Sequence, residues 1–392
     1  MTPITPVLFE PGHRPARRLV SSAAALVLAL LAGPAGRAEV APLSTHPDFT
    51  LSGDLRLRQE WDWDSQTAAG VPRADRDRAR IRARLVAAYK LPDGWSLGVR
   101  ARTGNRLSQQ SPHLTYSSND RVTDDFAAQL DKYFVQYKEG PFTVWGGRNA
   151  PPFWQQDEMV LDEDVTPTGI GGTYDTKLDE GNLTTAAGAF YLPDGAVYLN
   201  GTLVGGQLKY SQPVKPAQFT VAASLYAFNG KNGARNLRNR NGARDYLVGV
   251  LSAQWSEPLG GRPLVVGGDL IRNFENYSAA DVAPFAASQA DQTDGYVGFL
   301  LWGQLKDARD WQLGYYYAHV ETLAVNASYS QDDWARFGSA TQADVTDYKG
   351  HEFRATYLLG KNVNVQARLF LVKAITSIQD GKRLRLDFNW KF

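Results

Sequence analysis

The sequence closes on Leu384-Arg385-Leu386-Asp387-Phe388-Asn389-Trp390-Lys391-Phe392, in which apolar and polar side chains alternate at every position. A period of two is that of a β-strand with one apolar and one charged face. Such a strand suits a soluble sandwich, in which the charged face meets water, and equally a membrane barrel, in which it lines an aqueous interior. The pattern therefore predicts an all-β protein, and the rest of the chain must separate these two architectures.

The same alternation recurs from residue 49 onwards. Leu51, Leu55 and Leu57, for example, alternate with polar side chains that include Asp54 and Arg56. No helical period competes over a comparable length. The pattern predicts about sixteen strands, which begin near Phe49, Arg76, Trp95, Phe126, Phe142, Thr168, Asn182, Val197, Gln218, Arg244, Pro263, Thr293, Asp310, Asp347, Asn362 and Lys382.

The links between the predicted strands alternate in length. Short turns lie at 91–94, 139–141, 179–181, 257–262, 306–309 and 360–361. The links between them lie at 64–75, 104–125, 149–167, 192–196, 229–243, 275–292, 321–346 and 375–380, and all but 192–196 and 375–380 are long and polar. Outer-membrane barrels have short periplasmic turns and long extracellular loops, whereas a soluble sandwich has no reason to segregate its loops by length. We therefore predict a single antiparallel transmembrane β-barrel over residues 49–392, located in the cell outer membrane, with the even strand number of a water-filled pore.

The first 38 residues have the three parts of a secretory signal peptide. Arg14, Arg17 and Arg18 form the positive region, residues 19–33 are apolar and small, and Gly36-Arg37-Ala38 supplies the small residues of a cleavage site. The apolar region is too short for a membrane anchor. We predict cleavage after Ala38, which leaves residues 39–48 as a short periplasmic segment before the barrel.

Composition argues against several classes of function. Without residues 1–38 the chain carries a net charge near −2, whereas nucleic-acid-binding proteins are strongly basic. The sequence has no cysteine and therefore no disulfide or thiolate metal site. The four histidines after residue 38 lack the spacing of a metal motif, and no serine lies in a recognisable nucleophile motif. The sequence thus predicts no enzymatic activity, no metal and no cofactor.

Arginines crowd one face of the first three predicted strands. Neighbouring strands lie about 5 Å apart, so these side chains form a basic ladder on one wall of the barrel. In lipid each charge would cost about 2–4 kcal/mol near the midplane, so the ladder must face water. Two interpretations stay open: a pore lining that attracts anions, and a solvated wall neutralised by Asp54, Glu60 and Asp62. The ladder consists of Arg56, Arg58, Arg78, Arg80, Arg82, Arg84, Arg100 and Arg102.

The predicted loop 149–167 reads NAPPFWQQDEMVLDEDVTP and combines aromatic with acidic side chains. Folded into the barrel opposite the ladder, it would form a constriction with a transverse field that orients dipolar solutes. The other interpretation is an external loop that packs against its neighbours or binds a divalent ion. The candidate constriction residues are Phe153, Trp154, Asp157, Glu158, Asp162, Glu163 and Asp164.

Several segments resemble the bacterial putative porin family. Residues 145–154 read WGGRNAPPFW and residues 161–169 read LDEDVTPTG, and both are similar to one segment of that family. Asp332-Asp333-Trp334, Tyr348-Lys349-Gly350-His351-Glu352 and the closing strand are similar as well. The resemblance spans most of the chain after residue 38 and implies an outer-membrane pore without an assigned solute. Trp390 and Phe392 resemble the signal that the barrel-assembly machinery reads on a last strand.

The sequence therefore predicts an outer-membrane porin through which small hydrophilic solutes diffuse passively, with an anion preference where the ladder lines the pore. Two alternatives stay open: a substrate-selective channel for organic anions or acidic sugars, and a non-conducting barrel whose loops act as an adhesin or receptor. The expected partners are the solutes, lipid, lipopolysaccharide and the barrel-assembly machinery, with no nucleic acid. A homotrimer is the oligomeric assembly that we expect for a porin of this kind.

Overall fold

The strands of this protein form one antiparallel sheet that closes on itself. The computed structural model describes residues 46–230, 244–278, 280–281, 286–334 and 345–392. The strands within them are β1 (Phe49–Trp63), β2 (Arg76–Lys90), β3 (Trp95–Thr103), β4 (Leu114–Ser118), β5 (Ala128–Glu139), β6 (Phe142–Arg148), β7 (Thr168–Lys177), β8 (Asn182–Asp194), β9 (Tyr198–Val214), β10 (Ala217–Asn229), β11 (Tyr246–Leu259), β12 (Arg262–Asn273), β13 (Asp294–Gly303), β14 (Trp311–Val320), β15 (Tyr348–Gly360), β16 (Val363–Ala374) and β17 (Asp380–Lys391). A 3-10 helix, Ala287–Gln289, precedes β13. Among the described residues, no helix has the length and apolar character needed to cross a bilayer.

The ring closes where the last strand pairs with the first. β17 runs antiparallel to β1, with Asp54 opposite Lys391 and Trp63 opposite Lys382. Closure removes the free sheet edges, whose backbone groups would find no hydrogen-bond partner in lipid. The predicted antiparallel barrel is confirmed, and each predicted strand start lies within two residues of an observed one.

One position in the ring is shared by two strands. The predicted loop 104–125 contains β4, which is too short to show a clear period of two. β2 has 15 residues and β3 only 9, so β3 pairs with β2 only from Arg84 to Lys90. β4 pairs with the other half of β2, from Arg78 to Ile81. Because backbone groups at membrane depth need a protein partner, the two short strands together fill one of sixteen positions.

Side-chain burial in the barrel is the reverse of that in a soluble protein. In β17 the charged residues Arg383, Arg385 and Asp387 are at most 3% exposed, while the leucines between them are only half-buried. Large apolar side chains point outwards, among them Leu251 at 61% and Leu270 at 64% exposure. So much exposed apolar surface is stable only against hydrocarbon. This inverted pattern separates the membrane barrel from the soluble sandwich.

The two ends of the barrel differ in loop length, as predicted. At one end the links are as short as 140–141 and 260–261, and at the other they include 149–167 and 321–347. Trp95, a strand-starting aromatic at the short-turn end, is 47% exposed, as an interfacial ring would be. The short turns mark the periplasmic end and the long loops the external end.

The predicted signal peptide, residues 1–38, lies outside the described residues, and so do residues 39–45 of the predicted periplasmic segment. Both assignments stay predictions.

Candidate functional site in the barrel interior

Charged side chains on the inward faces of β1, β2, β3, β5 and β15 to β17 lie close enough to pair across neighbouring strands. Arg56 of β1 lies opposite Arg82 of β2, and Glu60 of β1 lies opposite Arg78 of β2 and Arg385 of β17. Directly opposed residues have Cβ atoms about 4.5–5.5 Å apart, so long side chains at these positions reach one another. Together they build one charged wall, which we call the basic wall.

All eight arginines of the predicted ladder lie on the inner side of the barrel, and most are paired. The pairs are Arg58 with Asp387, Arg78 and Arg80 with Glu60, Arg82 and Arg84 with Asp54, and Arg100 and Arg102 with Asp131. Arg56 Nε donates to Asn389 Oδ1 at 2.6 Å and lies 3.8 Å from Asp387. Asp62, the third carboxylate predicted to neutralise the arginines of the ladder, pairs with Arg76. Much of the ladder's charge is therefore balanced within the wall itself.

The C-terminal strands add arginines to this wall that were not among the predicted site residues. Arg385 Nε donates to Glu60 Oε2 at 2.6 Å, and Arg383 Nε donates to Asp62 Oδ1 at 2.7 Å. The charged face of the closing stretch was a signal for them, because ring closure must place that face beside the inward face of β1.

Arginines outnumber carboxylates on the strands of the basic wall. The arginines are Arg56, Arg58, Arg76, Arg78, Arg80, Arg82, Arg84, Arg100, Arg102, Arg354, Arg368, Arg383 and Arg385. Their carboxylate partners on the strands are Asp54, Glu60, Asp62, Asp131, Glu352 and Asp387. The strands thus carry about twice as many positive as negative charges, and the balance is left to the loops.

The loop 149–167, between β6 and β7, crosses the barrel interior. At one side, Arg84 of β2 donates to Asp164 at 3.0 Å. At the other, Gln156 Nε2 donates to the carbonyl oxygen of Gly268 on β12 at 2.8 Å. β2 and β12 lie on opposite sides of the ring of strands. The loop therefore runs from the basic wall to the facing wall.

Phe153 and Trp154 attach the start of this loop to β9 and β10. Phe153 is 7% exposed, and its ring centroid lies 5.0 Å from that of Tyr226. A Cβ at Gly205 would lie 2.7 Å from the Phe153 ring, so the close approach requires glycine there. The Trp154 backbone N–H donates to Gln207 Oε1 at 2.7 Å. The two aromatic candidates thus fasten the loop to the wall.

The five acidic candidates of the loop make three kinds of contact. Glu163 and Asp164 are bound to Arg82 and Arg84 of β2. Asp157 and Asp162 instead accept backbone N–H groups within the loop, at 2.9 Å and 2.8 Å. Glu158 accepts a hydrogen bond at its carbonyl oxygen, and its carboxyl borders the cavity described below.

A second loop, residues 321–334, also enters the barrel, which the sequence did not predict. The Gln331 backbone N–H donates to the carbonyl oxygen of Glu158 at 2.9 Å, so the two loops are joined. The Asp333 carboxylate accepts from Arg368 at 2.7 Å and also binds Arg385. The consecutive acids Asp332 and Asp333 were the feature of the sequence from which this contact with the arginines could have been predicted.

Residues 104–113 form a third inward segment. Gln109 Nε2 donates to the carbonyl oxygen of Ser328 at 2.8 Å, and Arg80 donates to Ser111 Oγ at 2.9 Å. His113 is 8% exposed, and burial followed by repulsion from Arg58 lowers its pKa well below the usual range. His113 is therefore neutral and adds no charge to the interior.

Between these segments and the basic wall lies a cavity of about 270 Å³. Its cations are on the strands, and its anions are mostly on the loops. The arginines are Arg56, Arg58, Arg354 and Arg368. The loop acids are Asp157, Glu158, Asp162, Glu163, Asp164, Asp332 and Asp333. All five acidic candidates of the loop 149–167 thus border the cavity, but only two of the eight ladder arginines do.

Protonation reduces the negative charge of the loop 149–167. Burial, and then repulsion from Glu163, raises the pKa of Glu158 to about 8. Burial likewise raises the pKa of Asp157 and that of Asp162 well above their usual range. At neutral pH the Glu158 carboxyl therefore mostly holds its proton, and the arginines of the wall are left in excess.

The pH dependence of ion selectivity tests this protonation. Going from about pH 7 to about pH 9 takes Glu158 through its pKa and adds one negative charge at the cavity. We expect the chloride-to-potassium permeability ratio, measured from reversal potentials in planar bilayers, to fall over this range. Glu158→Gln should flatten the profile, whereas Glu257→Gln, at the exposed short-turn end of β11, should not. Superimposable profiles for Glu158→Gln and the unchanged protein would contradict the assignment.

Trp390 and Phe392 lie at the seam of the ring. The Phe392 backbone N–H donates to the carbonyl oxygen of Gly53 at 3.0 Å, and the Gly53 N–H donates back at 2.8 Å. The Phe392 ring covers Gly53, where a Cβ would lie 2.7 Å from it. The Trp390 ring lies 5.3 Å from that of Phe392. Their role as an assembly signal stays a prediction.

The closed ring, the apolar outer face and the charged interior with inward loops define a pore-type barrel of the outer membrane. A family model described as "Putative porin" matches residues 66–258. The matched segment is similar to this putative porin family, and the family match together with the fold identifies an outer-membrane channel protein.

Solved porin structures have the same fold. The high-pH structure of Pseudomonas putida OprB aligns over 88% of this chain and 94% of its own, with 13% identity and a TM-score of 0.54. Salmonella typhi OmpF in complex with daunomycin aligns over 88% of this chain and 97% of its own, with 14% identity and a TM-score of 0.51. No curated protein matches the chain in sequence. At these identities the likeness concerns the fold.

Proposed function

We propose that this channel passes small hydrophilic solutes by diffusion and prefers anions. The observation that carries the proposal is the excess of arginine over carboxylate on the strands of the basic wall. Loop carboxylates at the cavity offset this excess only in part at neutral pH, because burial raises the pKa of Glu158 to about 8. The interior therefore has a net positive potential, which raises the local concentration of anions.

The cavity supports a limit on solute size. Its volume of about 270 Å³ lies near the lower end of the range of small-molecule sites, roughly 300–1,000 Å³. Three inward segments narrow the barrel around it. The solutes we propose are therefore small organic and inorganic anions.

Charge of both signs at the cavity supports the constriction that the sequence suggested. Arginines of the strands and acids of the inward loops both border the cavity, and we propose that they set up a field across it. Low-dielectric walls focus such a field, which orients a dipolar solute as it passes. The loop 149–167 is thus proposed to act as the constriction, with Asp157, Glu158 and Asp162 as its variable charges.

Arg56 and Arg354 are the arginines proposed to meet the solute. Their side chains are 19% and 27% exposed, whereas that of Arg58, which also borders the cavity, is 1% exposed. The Arg354 guanidinium lies 4.7 Å from the centroid of the Tyr316 ring, which holds it at the cavity. This planar, preorganised group also favours the second candidate function, a channel selective for organic anions.

Reversing these two charges tests the proposal. Arg56→Glu combined with Arg354→Glu should shift the chloride-to-potassium permeability ratio toward potassium by about tenfold, because each reversal acts directly on an ion in the cavity. Arg56→Gln with Arg354→Gln should give an intermediate ratio. Arg272→Glu is the matched control, because Arg272 lies on the outer face at 52% exposure. Reversal potentials in planar bilayers give the ratio.

Two outcomes would reject the proposal. An unchanged permeability ratio in the folded double variant would show that these arginines do not face the permeating ions. A folded protein without conductance would instead support the adhesin or receptor interpretation. Saturation of the current by an added organic anion would favour the selective channel over general diffusion.

A further inference from the structure

Three lysines point outwards at the external end of β15, β16 and β17. Lys349, Lys373 and Lys382 are all exposed, and Lys349 lies directly opposite Lys373 in the strand register. Like charges directly opposite each other destabilise an antiparallel pair. Such a pair in a well-formed sheet suggests that an anion outside the chain compensates it.

Nearby carboxylates compensate this patch only in part. Lys382 Nζ donates to Asp64 at 2.9 Å in an exposed pair. Asp380 lies opposite Lys373 in the register of the next strand. Within the described part of the chain, no ion pair is formed by Lys349 or by Lys373. The patch therefore presents two cations to whatever surrounds the barrel at this height.

The outer face becomes apolar a few residues closer to the middle of the membrane. One cross-strand row there consists of Tyr315, Phe353, Leu369, Leu384 and Trp61. Its aromatic members Tyr315 and Phe353 are 36% and 46% exposed. Strands advance about 3.4 Å per residue, so this row lies roughly 7–14 Å below the lysines. Cations above and apolar side chains below match an amphiphile with an anionic head and acyl chains.

The patch also has the shape of a binding site. A groove of about 430 Å³ runs along the surface of β15 to β17 and is lined by all three lysines. Tyr317, His351 and Leu371 also line it. The groove thus offers both charge and depth for a lipid headgroup.

We propose that Lys349, Lys373 and Lys382 bind the phosphate groups of a lipopolysaccharide molecule, whose acyl chains lie on the apolar row below. The height of the patch supports this occupant, because the long-loop end faces the exterior, where the outer leaflet consists of phosphorylated glycolipid. Lysine binds phosphate as a compact point charge. The site is separate from the pore and does not depend on the proposed solute preference.

Binding of purified lipid A to the folded channel in detergent tests the proposal. EDTA is present so that divalent ions do not bridge the phosphates, and native mass spectrometry gives the bound fraction. Lys349→Ala with Lys373→Ala should weaken binding about tenfold or more. This variant removes a like-charge pair, so it should fold at least as well as the unchanged protein. Lys138→Ala with Lys361→Ala, at the short-turn end, is the matched control and should bind normally.

Three results would overturn the proposal. The first is undiminished lipid A binding by the folded Lys349 and Lys373 double variant. The second is equally strong binding of dephosphorylated lipid A to the unchanged protein. The third is cross-linking between two copies through Leu371→Cys, which would show that a second copy of the chain covers this face.

Discussion

Asp333→Asn is expected to lower the free energy of unfolding by about 3–5 kcal/mol. The Asp333 carboxylate accepts from Arg368 at 2.7 Å, binds Arg385 and lies 3.9 Å from Arg58. These three arginine side chains are at most 12% exposed. Burial alone would raise the pKa of Asp333, but Arg385, Arg368 and Arg58 together hold it well below its usual range. Each of these arginines keeps one carboxylate of the strands, but removing the Asp333 carboxylate leaves the buried cluster with one uncompensated positive charge, which is the costly case for a buried ion pair.

Urea unfolding of the folded channel in detergent, followed by tryptophan fluorescence, measures the loss. Asp64→Asn is the control, because Asp64 forms an exposed pair with Lys382 and should contribute at most about 1 kcal/mol. The stabilisation by Asp333 should be present above about pH 4 and decline as the pH falls toward its depressed pKa. Equal effects of Asp333→Asn and Asp64→Asn would show that the loop 321–334 is not held by this cluster.

Phe153→Ala is expected to cost about 3–5 kcal/mol and to loosen the loop 149–167 from β9 and β10. The Phe153 ring fills the space over Gly205 and packs against Tyr226 and Phe190. Alanine leaves a cavity at this point, and the loop loses an aromatic contact with the barrel wall. Because the loop crosses the interior, its release should also raise the single-channel conductance.

Phe353→Ala is the matched control for this change. Phe353 faces lipid and is 46% exposed, so its removal leaves no internal cavity and should not alter conductance. Urea unfolding gives the stability of both variants, and planar-bilayer recordings give the conductance. Full stability in Phe153→Ala, or an unchanged conductance, would mean that the loop is held in the interior by its ion pairs with Arg82 and Arg84.

Asp333 and Phe153 lie in two different halves of the barrel interior. On β9, β10 and β11 the inward side chains Leu203, Phe228 and Val248 are apolar and at most 1% exposed. They belong to a hydrophobic cluster that includes Leu161 and Tyr329 from the two inward loops. The loops therefore pack against the apolar half, and the open space remains next to the basic wall. This packing supports the proposal that solutes pass along the arginines of the basic wall.

The alternation of side chains and the lengths of the links were sufficient to predict sixteen of the seventeen strands, the single barrel and its orientation in the membrane. This information is local, because one strand alone shows which of its faces is apolar, and lipid makes that face point outwards. The lengths of the links are also visible in the sequence, and they distinguish the periplasmic end of the barrel from the external end. The stretch 384–392 could therefore be assigned to a strand with one apolar and one charged face, whereas the lengths of the links were needed to assign that strand to a membrane barrel.

Tertiary structure alone decided which charges remain at the cavity. Arg58 is neutralised by Asp387, a residue 329 positions away, because ring closure places β17 beside β1. Arg56, two residues earlier in β1, faces Asn389 instead and stays partly exposed. The entry of the loop 321–334 and the pairing of Asp333 likewise depend on strands distant in the chain. Charge compensation acts through space over a few ångströms, so a pattern read along the chain could identify the arginines but not their partners.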